Sequence, residues 1–145
     1  PQFVFGEGLT YTSVDWSDLS LDASELAPDD VVTAQVRLTN TGDRTAYEVV
    51  QVYVTDVVTS VTWAAKELKA FRRFEVPPGE SVTASVEVPI SACTIVDAAG
   101  RRVVEPGKFE LLVGRSSRDA DLQRARFTVH APTPDRTPDR TTVTA

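Results

Sequence analysis

From Val32 to Val129 the apolar residues keep returning at every second position. Val32, Ala34, Val36 and Leu38 alternate with Thr33, Gln35, Arg37 and Thr39. That period places one side of an extended chain in a dry interior and the other in water. Val82, Ala84, Val86 and Val88 repeat it, as do Phe109, Leu111 and Val113, and then Ala125, Phe127 and Val129. No segment carries a sustained apolar stripe at i, i+3, i+4 and i+7, so a helix would have no face to bury. Turn clusters punctuate the runs: Asn40-Thr41-Gly42-Asp43, Pro77-Pro78-Gly79-Glu80 and Glu105-Pro106-Gly107. Short strands at this spacing predict an all-β chain of about seven antiparallel strands, a sandwich or a barrel. At 145 residues an open-edged sandwich is preferred.

Three runs depart from plain alternation. Val14 and Trp16 share one parity, but Leu19 and Leu21 do not continue with Ser17 and Asp18 between them, which predicts a bulge near Ser17-Asp18. Tyr47 to Thr55 is apolar on both parities, which predicts a central strand covered on both sides. In Glu67 to Val76, Leu68, Ala70, Phe74 and Val76 share a parity and Phe71 lies on the other. Asp56 to Lys66 is longer than a hairpin loop, and long loops in compact domains tend to carry function or pack on a neighbour. Residues 131–145 repeat Thr-Pro-Asp-Arg, a composition expected to give a disordered or extended tail.

Composition narrows the function. The net charge is -6, the reverse of a nucleic-acid binder's balance. No apolar run is long enough to span a bilayer as a helix. The single cysteine, Cys93, cannot form an intrachain disulfide. There is no signal-peptide pattern, and the compartment is left open. The chain contains no methionine and opens at Pro1, from which a piece of a longer polypeptide is expected.

Seven blocks, taken in order, carry a family resemblance. They are Phe5-Gly6-Glu7-Gly8-Leu9-Thr10-Tyr11-Thr12, Val36 to Asp43, Glu48-Val49-Val50-Gln51-Val52-Tyr53-Val54, Lys66-Glu67-Leu68-Lys69-Ala70-Phe71, Pro78-Gly79-Glu80-Ser81, Val104 to Phe109, and Val113 to Asp119. Their identity, order and spacing resemble the C-terminal fibronectin type III-like domain of glycoside hydrolase family 3, the family of β-glucosidases and β-xylosidases. The chain departs from the pattern at Glu7, at Trp63-Ala64-Ala65 and at Ala70, where the family has other residues.

The resemblance implies an immunoglobulin/fibronectin-III-like sandwich over residues 13–130, a lead-in from a preceding domain over 1–12 and the tail over 131–145. It further implies a non-catalytic accessory module. Its partners would be the catalytic domains of the same parent chain, which it would stabilise, and whose substrate entrance it would help to shape. The parent would be a retaining hydrolase of O-glycosyl bonds that needs no metal or cofactor. The family's nucleophile and acid/base residue lie upstream, so no catalytic residue is expected here.

The residues themselves agree with that expectation. Glycoside hydrolysis needs two facing carboxyl groups, about 5 Å apart for retention and up to about 9.5 Å for inversion. Asp29-Asp30, Asp119 and Asp121 sit instead at turns or on polar strand faces. His130 has no metal-ligand or triad partner in its neighbourhood and is expected at a solvent-facing strand end. Cys93 is expected to be a buried small hydrophobe. Trp16 is expected in the core, and Tyr47, Tyr53 and Phe74 in the core or on a sheet face. Trp63, in the long loop, is the candidate contact residue. Its ring suits packing on this domain, packing on the catalytic domains, or stacking on a sugar. Two other functions stay open on the residues alone: an independent carbohydrate-binding module using Trp63, and a protein-interaction module by fold analogy.

Overall fold

The computed structural model describes residues 12–57, 66–96 and 98–131. Ten strands follow in order: β1 (Val14–Leu21), β2 (Glu25–Leu26), β3 (Val31–Asn40), β4 (Ala46–Asp56), β5 (Glu67–Val76), β6 (Ser81–Pro89), β7 (Ile95–Val96), β8 (Arg102–Val103), β9 (Gly107–Gly114) and β10 (Gln123–Val129). β1-β3-β6 form one sheet and β2-β10-β9-β4-β5 the other, while β7 and β8 make a separate ribbon. The seven long strands are those expected from the alternation. The two-residue strands β2, β7 and β8 are additions, too short to show a period. One pairing is not antiparallel: β2 runs parallel to β10.

The alternating residues pack where their period places them. Val32, Ala34, Val36 and Leu38 of β3 and Ala84, Val86 and Val88 of β6 are buried, facing Val50, Val52, Leu111, Phe127 and Val129 of the other sheet. Burying one such side chain contributes roughly 1.5–3 kcal/mol relative to leaving it in water. Phe109 and Phe127, paired across β9 and β10, stack with ring centres 5.4 Å apart. The expected bulge in β1 is present: the register against β3 shifts between Ser17 and Ser20, and Asp18 takes a φ of 58°.

Two expectations are corrected. The β4 strand is interior to its sheet, but its outer face is covered only in part. Gln51 and Tyr53 are buried there, whereas Tyr47 and Val49 are exposed. In β5, Leu68 does not share a face with Ala70, Phe74 and Val76. The register against β4 jumps between Val52↔Ala70 and Tyr53↔Leu68, so Lys69 is an extra residue. That bulge turns Leu68 to the outer face, where it joins Tyr53.

The first two of the three predicted turns form, and the first is built around a side chain. Asn40 is buried. Its amide donates to the carbonyls of Arg44 (2.6 Å) and Val76 (2.9 Å), and its Oδ1 accepts from the Gly42 amide (2.9 Å) and the Thr12 hydroxyl (3.1 Å). In the second, Glu80 N donates to Pro77 O at 3.1 Å and Gly79 has a φ of 73°, a type II-like turn that needs glycine at that corner.

Candidate interaction surface

The sandwich closes on itself through apolar contacts, so its polar side chains show what else it holds. One group of them holds the connection from Arg115 to Leu122, which folds over the outer face of the five-stranded sheet. Ser116 is buried, donates to Asp121 Oδ2 (3.0 Å) and accepts from the Arg118 amide (3.2 Å). Lys66 Nζ reaches Asp119 Oδ1 at 2.5 Å and holds that carboxyl below the usual carboxylate range. Gln51 Nε2 donates to Arg115 O at 3.0 Å and the Tyr53 hydroxyl donates to Gln51 Oε1. Under this cover Tyr53, Leu112 and Leu122 form a second small apolar cluster with Leu68 packed against it.

Arg115 also reaches around the end of the sandwich. Its Nη2 donates to Val14 O (2.8 Å), and its guanidinium lies 5.6 Å from the centre of the Trp16 ring. Among the described residues Glu48 is the one buried acidic residue, and its Oε1 finds no hydrogen-bond partner. Burial pushes its carboxyl up, and the Arg115 charge opposes this. A surface recess of about 250 Å³ lies beside Trp16, Arg115 and Asp121. It contains no facing pair of buried carboxylates.

The other half of that same outer face is bare. Antiparallel partners project to one side, so Tyr47 opposite Glu75, Val49 opposite Arg73 and Gln51 opposite Phe71 define it. Phe71 is 68% exposed, Tyr47 55% and Val49 38%. The Arg73 guanidinium covers part of this area, 4.6 Å from the Tyr47 ring centre.

The residues singled out from sequence fall as follows. Trp63, the candidate contact residue, lies outside the described residues, as do residues 1–11 and 132–145 and most of the long loop. Trp16 is half-buried and packs against the core. Tyr53 is buried on the sheet's outer face, Phe74 is half-buried against the core, and Tyr47 is an exposed sheet-face residue. His130 is exposed beside Glu25 at 3.7 Å. Cys93 is buried and its thiol is pushed up by burial. Among the described residues no three of His, Cys, Asp and Glu cluster as metal ligands would. Arg115 and the Tyr47–Val49–Phe71 surface were not anticipated. The signal for Phe71 was its parity, opposite to the core set of its strand.

Two facing sheets with these crossings define a fibronectin type III-like sandwich, and the model of the fibronectin type III-like domain matches residues 48–117. A β-xylosidase from Formosa agariphila is 40% identical over 129 residues, covering 89% of this chain and 18% of that protein. Thermostable β-glucosidase B from Acetivibrio thermocellus is 35% identical over 147 residues, covering 93% and 20%. Among solved structures, a β-glucosidase involved in saponin metabolism from intestinal bacteria superposes with a TM-score of 0.84 at 47% identity, covering 90% of this chain and 18% of that one. The Listeria innocua β-glucosidase in complex with glucose gives 0.79 at 32% identity, covering 89% and 18%. The chain belongs to the fibronectin type III-like domains of glycoside hydrolase family 3. It spans about a fifth of the length of the curated relatives it matches.

Proposed function

We propose that this chain is the C-terminal accessory module of a family 3 glycoside hydrolase acting on β-glucosides or β-xylosides. It carries no catalytic group. It stabilises the catalytic domains of the same parent polypeptide and helps to shape their substrate entrance. One observation carries the reading: side chains such as Asn40, Gln51 and Ser116 hold the domain's own loops and turns, and among the described residues the one buried carboxylate, Glu48, has no second buried carboxylate beside it. The relatives' names supply the substrate class, and the share of their length that is matched supplies the idea of a part serving a larger whole.

The test is the full-length parent with and without residues 13–130, assayed on nitrophenyl glucosides and xylosides and by thermal unfolding. The expected result is a lower Tm and reduced turnover in the shortened enzyme. Unchanged Tm and turnover would remove the accessory role. A shortened enzyme that keeps both but no longer binds insoluble polysaccharide would assign the domain to carbohydrate binding instead.

A further inference from the structure

The outer face of the five-stranded sheet is covered over half its length and bare over the rest. The covered half, around Tyr53 and Leu112, is closed by the chain's own connection from Arg115 to Leu122. The bare half presents Tyr47, Val49 and Phe71, three of the five exposed large apolar side chains among the described residues. Contiguous exposed apolar area on one sheet face marks a contact surface, whereas singly scattered residues do not. The strand that carries Phe71, β5, is also a sheet edge, where an uncovered aromatic is an association hazard.

We infer that this bare half, centred on Phe71 and Val49, is the surface on which the preceding catalytic part of the same polypeptide docks. The inference rests on the accessory-module reading and names the face that reading leaves open. The occupant is identified by where the chain comes in. Thr12, ahead of β1, is hydrogen-bonded to Asn40 in the turn between β3 and β4, and Tyr47 is the second residue of the strand leaving that turn. A polypeptide arriving at Thr12 therefore reaches the sandwich at the end where β4, the strand that carries Tyr47 and Val49, begins. About four-fifths of the length of the matched relatives lies outside the matched region, and a covalently tethered neighbour meets this face at high effective concentration. The contact chemistry also follows. Arg73 stacks on Tyr47 and makes no ion pair among the described residues. The opposing surface is therefore apolar, with a carboxylate placed to meet that guanidinium.

The experiment is thiol labelling in the full-length parent. Val49→Cys and Phe71→Cys are compared with Thr83→Cys, an exposed position on the outer face of the other sheet, with the labelled sites resolved by mass spectrometry. Docking predicts labelling of the first two at least about tenfold slower than of the third, independent of protein concentration. Equal rates would overturn the inference. So would protection that disappears on dilution, because the occupant would then be a second copy. A charge variant gives an independent arm: Phe71→Asp lowers the parent's Tm and Thr83→Asp does not, and equal effects count against the docking face. If deletion of residues 13–130 destabilises the parent while both positions label freely, the accessory role stands and this face does not. If deletion has no effect, the accessory reading itself fails.

Discussion

Asn40 shows how much one buried side chain can organise. It serves as donor twice and acceptor twice, tying the β3–β4 turn, the end of β5 and the incoming chain to one point. Asn40→Ala leaves these backbone groups without partners in a buried place, so a loss of about 2–4 kcal/mol is expected in urea unfolding. Glu48 is the opposite case, a charge held where solvation is poor. Its carboxyl titrates above its ordinary 4.5 in the folded state. The folded protein therefore binds that proton more tightly than the unfolded chain does. The resulting contribution is fully favourable below 4.5 and is lost as pH rises through the folded value. Glu48→Gln keeps the shape and removes the charge. At pH 7 the variant should be the more stable by about 1 kcal/mol, with the advantage vanishing below pH 4.5. Urea midpoints across pH 3.5–7.5 check both sign and window; a constant difference would show that ionisation is not its cause. At this scale the sequence was partly readable. The Asn-Thr-Gly-Asp cluster announced a turn, but only the fold shows that the asparagine is its hub. Glu48 stands on the core parity of β4, between Ala46 and Val50, yet parity says nothing of Arg115, whose charge acts on it from a loop 67 residues on.

At the scale of elements, alternation was legible wherever a strand carries no bulge, as in β3, β6 and β9. It failed at β5, because the Lys69 bulge belongs to the pairing with β4 and not to either strand alone. It also failed for β2, β7 and β8, which have two residues each. The connection from Arg115 to Leu122 carries no period at all, though its residues gave one of the family-like blocks. Its close seat on the sheet depends on Gly114: a Cβ there would meet the Asp121 carbonyl oxygen and, at 2.9 Å, Leu122 Cδ2. Because the main obstacle is backbone, Gly114→Ala should cost about 1–3 kcal/mol. Amide exchange should quicken first in residues 115–122, ahead of the β3 and β6 amides. Exchange that rises uniformly would mean the connection is not a separate unit.

For the molecule as a whole, the last strand is the keystone. β10 lies between β9 and β2 and brings Phe127 against Phe109. Ending the chain before Gln123 should therefore abolish cooperative unfolding and the near-ultraviolet dichroism, where trimming a mere edge would only lower the midpoint. A topology so rich in distant pairings should also fold slowly, in roughly milliseconds to seconds. Stopped-flow refolding of the intact chain checks this, and a microsecond phase carrying the full amplitude would contradict it. The docking face belongs to this scale too, and the sequence could not show it. The parity of Phe71 reveals which side it faces, not what lies there.

The parallel pairing of Glu25 and Leu26 with Thr128 and Val129 sets an order of events during synthesis. A segment made near the beginning of this stretch stays without its hydrogen-bonding neighbour until a segment made roughly a hundred codons later has left the ribosome. The sandwich can therefore close only after its last strand has been made, and its early strands spend that interval without a complete sheet to join.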